Sequence, residues 1–288
     1  MRVLTVLLVL GMSLGAQEAA APPAPLAHFH HLHLNSTDPA AALDFYPAKF
    51  NAEKAKFMGT LDGVWAQKSW IFASKVAAPP PSAIESAIWH FGWGAEDMKA
   101  TYQKQLDMGT KFDTPIVELF PNFFYAYVAG PDGALIELNT ARHHDFGHLH
   151  LLSEDPVAAG EWYSKHFGAT IRSVQKEVRY IREHPVGPSS SLMMDNVNII
   201  IYPVEYARYV WKDHWKPGVK FAPTKGRVVD HIGFSVDNLD QTIARLKAAG
   251  VKVTDEPRSV FNGKLKIAFI EGPDYIRIEL VEGHAKKE

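Results

Sequence analysis

Histidine and glutamate recur at matched distances along this chain and are the residues best suited to bind a metal ion. His90 precedes Glu137 by 47 residues, and His231 precedes Glu279 by 48. The chain contains no cysteine, so any metal must be bound by His, Asp or Glu side chains. Two neutral imidazoles and one carboxylate suit Fe, Mn, Ni, Co or Zn, and a facial arrangement leaves positions open for a substrate or dioxygen.

An internal repeat places these residues at equivalent points of four similar units, which begin near residues 28, 87, 145 and 227. A shift of 117 positions superposes the start of the first unit on that of the third, and shifts of 141 and 142 superpose the second unit on the fourth. The chain is therefore built from copies of one supersecondary unit. The superposed pairs include His31 on His148, His33 on His150, His90 on His231, Gly92 on Gly233 and Glu137 on Glu279.

The pattern within a unit predicts a strand, a helix and three further strands. Residues 229–236 alternate as a half-buried strand does, Asp237 or Asn238 can cap the helix that follows, and Gly250 can end it. Residues 123–128 and 135–138 read as two strands joined by a turn. We therefore predict an α+β fold of four βαβββ units. The order along the chain suggests that the first unit pairs with the second and the third with the fourth.

These motifs resemble the vicinal oxygen chelate superfamily. The resemblance rests on a His followed seven residues later by an Asp, a helix containing Phe-Tyr or Trp-Tyr, and a Gly-Pro-Asp turn that leads into Ile-Glu-Leu, and it covers residues 28–283. The superfamily includes glyoxalase I, fosfomycin resistance enzymes, methylmalonyl-CoA epimerase, bleomycin-binding proteins and type I extradiol dioxygenases. The resemblance implies two glyoxalase-like domains, at 28–141 and 145–284, each with an open, curled sheet around a metal.

The resemblance also implies which residues bind the metals, because ligands in this superfamily come from the first and last strands of a unit. With the expected pairing, one set is His31, His90 and Glu137, and the other is His148, His231 and Glu279. Fe(II) or Mn(II) is favoured, and Ni, Co or Zn also suits these ligands.

The remaining histidines near the strand starts fall into two groups. His33 and His150 lie two residues after a predicted ligand and so on the same face of the strand, as hydrogen-bonding groups or alternative ligands. Four others precede the strands and are expected to be exposed: His28, His30, His143 and His144.

Two features favour dioxygenase-like chemistry over glyoxalase I. Glyoxalase I adds a fourth ligand from the last strand of its first unit, but neither residues 69–73 nor residues 198–201 contain a carboxylate. Tyr127 lies ten residues before Glu137, as a catalytic Tyr does in ring-cleaving dioxygenases, whereas the equivalent position in the second pair is Phe269. Tyr127 is thus the candidate catalytic residue, with an ordinary strand aromatic as the alternative. Glu118 replaces the His that those enzymes carry nine residues before the Tyr.

The expected function is a metal-dependent oxygenase acting on a small aromatic or vicinal-oxygen substrate. The alternatives are a glyoxalase-type lyase, isomerase or epimerase, and a non-catalytic small-molecule binder. A connection at 183–225 rich in Tyr and Trp either lines the site as a lid or packs over a sheet edge.

Composition and the start of the chain set further expectations. A net charge of −2 gives no basic surface for nucleic acid. Residues 1–16 carry a charge, an apolar run and small residues in the order of a signal peptide, and residues 17–27 form an Ala/Pro-rich linker. We therefore expect a periplasmic or secreted protein with a small-molecule substrate and no membrane contact beyond the signal segment. The oligomeric state is left open.

Overall fold

The computed structural model describes residues 26–213, 215 and 218–283. The predicted signal peptide and most of the linker lie outside these residues. Within them, no helix is long and apolar enough to span a membrane.

Each unit folds as a strand, a helix and three strands, which confirms the predicted βαβββ order. The first unit comprises β1 (His28–Ser36), α1 (Pro39–Lys49), β2 (Glu53–Phe57), β3 (Leu61–Ala66) and β4 (Ser69–Lys75). The second comprises β5 (Ile88–Ala95), α2 (Met98–Asp107), β6 (Phe112–Phe120), β7 (Phe123–Ala129) and β8 (Leu135–Thr140). The third comprises β9 (Phe146–Ser153), α3 (Pro156–Phe167), β10 (Thr170–Ile181), β11 (His184–Met194) and β12 (Val197–Pro203), followed by α4 (Val204–Val210). The fourth comprises β13 (Val229–Val236), α5 (Leu239–Ala248), β14 (Val253–Val260), β15 (Leu265–Glu271) and β16 (Arg277–Glu282).

Local sequence signals account for the helix boundaries. A short acidic or amide side chain caps the first helix of every unit by accepting a hydrogen bond from the backbone N–H three residues on. In the fourth unit this cap is Asn238, one of the two predicted candidates. Gly250 follows α5 with a φ of +80°, the left-handed conformation expected of a residue that ends a helix.

The units pair differently from the order expected along the chain. Sheet A has the order β14-β15-β16-β13-β1-β4-β3-β2 and joins the first unit to the fourth, whereas sheet B has the order β10-β11-β12-β9-β5-β8-β7-β6 and joins the second to the third. Antiparallel contacts of β1 with β13 and of β5 with β9 make these junctions. The prediction that the first unit pairs with the second was therefore wrong. All four units carry the same strand pattern, which does not distinguish partners, and the short link at 141–145 lets the third unit dock directly beside the second.

A shared hydrophobic core connects the two sheets. Leu32, Phe91, Leu149 and Ile232 come from the four opening strands, are fully buried and belong to one cluster. Because side chains alternate along a strand, their neighbours on either side point to the opposite face of each sheet. Those neighbours include the predicted metal ligands.

Candidate metal centres

The structure gathers the predicted ligands into two clusters, one in each sheet. In sheet A, the ligand atoms of His31, His33, His231 and Glu279 all lie within 4.8 Å of one another. In sheet B, those of His90, Glu137 and His150 satisfy the same limit. His148 adjoins this second cluster, with its Nε2 3.6 Å from Glu137 Oε2.

The expected membership of the two ligand sets was wrong. His31 lies with His231 and Glu279, whereas His148 lies with His90 and Glu137. The cause is the sheet pairing, since each cluster forms where the first strand of one unit meets the first and last strands of another. The role of these residues as metal ligands stays a prediction.

Two glycines leave space for the histidine rings of the neighbouring strand, His31 in sheet A and His148 in sheet B. Gly233 lies between His31 and Glu279 in the sheet A register, and a Cβ on it would lie 2.7 Å from His31 Nε2. In sheet B, a Cβ on Gly92 would lie 2.5 Å from His148 Nε2. The recurring His-x-Gly motif therefore has a steric basis, because the His supplies a ligand and the Gly leaves space for the opposite ring.

In sheet A, His231 is held by a buried carboxylate. Its Nδ1 lies 2.6 Å from Asp230 Oδ1, and since a carboxylate only accepts hydrogen bonds, Nδ1 is the donor. The other nitrogen, Nε2, lies 2.9 Å from Glu279 Oε2. Asp230 also accepts from Arg277 Nη1 at 2.6 Å and from the Gly226 N–H at 2.7 Å. This arrangement resembles the carboxylate–histidine pairs that orient metal ligands.

In sheet B, an amide rather than a second carboxylate supports the cluster. His90 Nε2 lies 2.6 Å from Glu137 Oε2, and Asn139 Nδ2 donates to Glu137 Oε1 at 3.1 Å. The ring of His150 stacks on that of His90, with centroids 4.5 Å apart. Trp89 precedes His90 at the position that Asp230 occupies before His231, so the two centres differ in how their ligands are held.

Several buried ligand nitrogens lack hydrogen-bond partners among the described residues. They include both nitrogens of His90, Nε2 of His148 and Nδ1 of His150. The short approach of His90 Nε2 to Glu137 is thus not aligned as a hydrogen bond. Leaving buried polar atoms unpaired typically costs about 1–3 kcal/mol each. Imidazole nitrogens and a carboxylate oxygen that lie within 4.8 Å of one another fit a divalent cation, which would satisfy one atom of each side chain.

Burial influences the protonation of the titratable side chains in the sheet B cluster. It lowers the pKa of His90 and lowers that of His150 well below its usual range, so both imidazoles stay neutral and able to bind a metal. Burial also opposes ionisation of Glu137, but the close imidazoles of His148 and His90 outweigh it and hold the pKa of Glu137 well below the usual range. The cluster therefore carries one negative charge.

The pKa values of the equivalent histidines in sheet A shift in different directions. Burial lowers the pKa of His33 to about 3. Burial also lowers the pKa of His231, but hydrogen bonds to Asp230 and Glu279 outweigh it and raise that pKa overall. His33 Nε2 contacts Ser74 Oγ at 2.7 Å, and its ring stacks on that of His231.

Tyr127 lies beside the sheet B cluster. It is directly opposite Glu137 in the β7–β8 register, and its ring centroid is 5.0 Å from that of His90. Burial raises its pKa well above the usual range, so its hydroxyl stays protonated and can donate a hydrogen bond. The counterpart in sheet A is Phe269, 5.2 Å from His231, which has no hydroxyl.

A pocket of about 180 Å³ opens beside this cluster and contains three tyrosines besides Tyr127. Tyr125 lies two residues before Tyr127 on the same strand face, and Tyr202 and Tyr206 come from the third unit and α4. The alternation of β7 could have indicated Tyr125. Tyr202 and Tyr206 belong to the connection at 183–225, which was expected either to line the site or to pack over a sheet edge.

The predicted connection at 183–225 was only partly correct. Its first part forms the regular strands β11 and β12, so the interruption of the repeat begins with α4. That helix packs Tyr206 against Trp89, with ring centroids 4.7 Å apart, while Trp215 is buried. The segment therefore both lines the pocket and packs against the core.

His30 was expected to be exposed but is 1% exposed, with its Nδ1 2.7 Å from His31 Nδ1. The strand register shifts between Phe29 and His31, and such a bulge can turn consecutive side chains inward. His28 is half-buried beside Asp195, so it too was misassigned, whereas His143 and His144 are exposed as expected.

Comparisons with known proteins agree with this architecture. The sequence profile of the Glyoxalase/Bleomycin resistance protein/Dioxygenase superfamily matches residues 28–138 and 145–280. A lactoylglutathione lyase from Salmonella typhimurium is 42% identical over 57 residues, which is 20% of this chain and 42% of that protein. The chain spans less than half the length of the curated relatives it matches.

Solved structures share the fold. Glyoxalase I from Zea mays superposes with a TM-score of 0.68 and 14% identity, covering 90% of this chain and 93% of that one. A candidate dioxygenase from Bacillus subtilis superposes with a TM-score of 0.60 and 13% identity, covering 88% and 84%. At these identities the likeness concerns the fold alone.

Proposed function

The chain belongs to the Glyoxalase/Bleomycin resistance protein/Dioxygenase superfamily, and we propose that it is a divalent-metal-dependent enzyme of the lyase or isomerase type, working in sheet B. The observation that carries this proposal is the position of two proton-handling groups, His150 and Tyr127, around one ligand. Their ring centroids lie 4.5 Å and 5.0 Å from that of His90. The similarity to lactoylglutathione lyases supports the same class of reaction.

His90, His148 and Glu137 would hold the metal, with His150 as an alternative ligand. The metal would act as a Lewis acid on two adjacent substrate oxygens and so make a neighbouring C–H more acidic. The ligand set favours Fe(II) or Mn(II) and also suits Ni, Co or Zn.

The side chains of this site divide the remaining tasks. His150 is neutral because burial lowers its pKa, so it can accept a proton from the substrate carbon. Tyr127 stays protonated and can donate a hydrogen bond to a substrate oxygen. Asn139 fixes Glu137 through Oε1 and leaves Oε2 directed at the cluster.

Sheet A is proposed to bind a metal without carrying the main reaction. It has a well-oriented ligand in His231, but Phe269 occupies the position equivalent to Tyr127. We expect this centre to stabilise the junction of β1 with β13.

Deuterium exchange tests the proposal. The protein is loaded separately with each candidate metal and incubated in D₂O with 2-hydroxyacetophenone, whose carbon-bound protons adjoin two oxygens. Proton NMR should show exchange that is lost in His150→Gln and kept in His33→Gln, the matched change in sheet A. Absence of exchange with every metal, or equal loss in both variants, contradicts the proposal.

Dioxygenase chemistry is the second candidate, because the expected position of a fourth ligand holds no carboxylate. Trp70 is beside His31 in the strand register, and Asn198 is beside His148. The facial three-ligand set that remains is typical of non-haem Fe(II) oxygenases. Oxygen uptake by the Fe(II)-loaded protein, with products that depend on dioxygen, would favour this reaction. Exchange under anaerobic conditions would favour the first.

Export to the periplasm or outside the cell is also proposed, from the order of residues 1–16. The mature chain should begin near Ala16 or Gln17. N-terminal sequencing of protein produced in its native host tests this, and an intact Met1 on cytoplasmic protein would contradict it.

A further inference from the structure

The pocket in sheet B points to a substrate class for the proposed enzyme. Resting on that function, we propose that the substrate is a single aromatic ring that bears oxygen substituents and carries no carboxylate, phosphate or ammonium group. Three properties of the pocket lead to this class: its size and ring lining, its charge, and its unpaired hydroxyl groups.

Size and lining fit one aromatic ring. The cavity volume is about 180 Å³, and a cavity of roughly 150 Å³ is enough to hold benzene. Trp89, Tyr202 and Tyr206 form one wall, with ring centroids 4.7–6.5 Å apart. Aromatic rings attract one another at such separations in tilted and edge-on arrangements, so a flat ring is favoured over a chain-like substrate.

The charges of the residues that line the pocket disfavour a substrate with an acidic group. Among the described residues that line the pocket there is no lysine or arginine, and Glu137 is the only carboxylate. Arg182, at the turn between β10 and β11, is exposed, and its guanidinium donates to the Glu118 backbone oxygen. Away from the metal ligands, a carboxylate placed against these walls would lose its hydration without gaining a cation, which is unfavourable.

The tyrosine hydroxyls that line the pocket favour a substrate with oxygen atoms that can accept hydrogen bonds. The pocket is lined by four tyrosines whose phenol hydroxyls can donate hydrogen bonds: Tyr125, Tyr127, Tyr202 and Tyr206. Their hydroxyls make no hydrogen bond with other residues in the described part of the chain. Hydroxyl, methoxy or carbonyl oxygens on the ring would supply the missing acceptors.

The equivalent surface of sheet A shows that these features are specific to sheet B. Both centres keep the ligand Glu in the closing strand, but the polar positions around it in sheet B are apolar in sheet A. The replaced positions are Tyr125 by Ile267, Tyr127 by Phe269 and Asn139 by Val281. Both sheets contain a ligand cluster, but these polar side chains occur only in sheet B, where the aromatic pocket lies.

A matched pair of ligands tests the charge requirement. The full-length protein is loaded with zinc, and binding of 2-methoxyphenol and of 4-hydroxy-3-methoxybenzoate, which differ by one carboxylate, is measured by calorimetry. The uncharged ligand should bind at least about 10-fold more tightly, because the carboxylate is desolvated without a partner. S-hexylglutathione, a larger and charged probe, should not bind measurably.

A lysine introduced into the pocket provides a second test of the charge requirement. Ile200 lines the pocket, and Ile200→Lys should reverse the preference in favour of the carboxylated ligand. The control is Leu61→Lys, which places a lysine at the half-exposed rim of the sheet A cavity and should leave the preference unchanged. Zinc content and a melting curve show whether each variant is folded.

The outcomes separate this inference from the proposed function. Selective binding of the uncharged ring without any turnover supports the substrate class and contradicts the enzyme assignment. Equal or tighter binding of the carboxylate or of S-hexylglutathione overturns the substrate class, even if proton exchange is found. Failure of both ring ligands to bind to folded, zinc-loaded protein overturns it as well.

Discussion

Replacing Gly92 by Ala should damage the sheet B centre without removing any ligand. A Cβ at this position would lie 2.5 Å from His148 Nε2 and would also overlap the Glu137 backbone oxygen. Ordinary contacts between such atoms are about 3.5–4.0 Å, so the ring must move by roughly 1 Å. The backbone of β8 is fixed by pairing on both sides, and the displacement therefore falls mainly on His148.

Two quantities should change in Gly92→Ala. Overpacking of this kind costs about 1–3 kcal/mol in the free energy of unfolding. Disturbing the support of a ligand typically weakens metal binding by about 10- to 100-fold. The first is measured by urea denaturation of metal-free protein, and the second by zinc titration against a chromophoric chelator in a His231→Ala background, so that the sheet A centre does not contribute.

Gly147→Ala is the matched control. It lies beside His148 in β9, but a Cβ there would meet the side chain of His143 at 2.8 Å, and that exposed side chain can move away. The control should retain zinc affinity. If Gly92→Ala binds zinc as tightly as the wild-type chain, His148 is not a ligand in the observed position and the steric explanation of the His-x-Gly motif is wrong.

Three other changes test the separate parts of the two centres. Asp230→Asn should lower zinc affinity in sheet A by about 10- to 100-fold and leave sheet B unchanged, as measured by competition titration, because the carboxylate orients His231. Metal-free protein should lose stability as the pH falls below 6.5, since the unfolded chain takes up protons that buried His90 and His150 resist; His231, with its raised pKa, opposes part of this loss. Denaturation at pH 7.5 and pH 5.5 measures it, and a rise in stability would contradict these pKa directions. Tyr127→Phe should reduce turnover by about 100- to 10,000-fold at unchanged metal content, and unaltered kcat would remove Tyr127 from the reaction.

The sequence predicted the repeating unit well because the unit depends on local signals. Helix caps, strand alternation and Gly250 act within a few residues, and the structure shows each where it was expected. The spacing of His and Glu likewise identified the residues that converge. Tyr127 could be placed near Glu137 because both belong to one hairpin of the same unit.

What the sequence did not predict depends on distant contacts. Four similar opening strands offer several pairings, so a single chain could not show that the first unit joins the fourth. The grouping of His31 with His231 follows only from that choice. Tyr202 and Tyr206 reach the pocket through the same junction of the second and third units, and the inward turn of His30 results from a bulge that no residue pattern marks.

Metal content of two double variants tests the grouping of the ligands most directly. If His90 and His148 share one centre, His90→Ala/His148→Ala should retain one equivalent of metal per chain, held by His31, His231 and Glu279. If His31 and His90 belong to different centres, His31→Ala/His90→Ala should retain none. Elemental analysis of folded, metal-saturated protein should therefore give one and zero equivalents, respectively. The reverse result, with one equivalent kept in His31→Ala/His90→Ala and none in His90→Ala/His148→Ala, would contradict the observed pairing of the units.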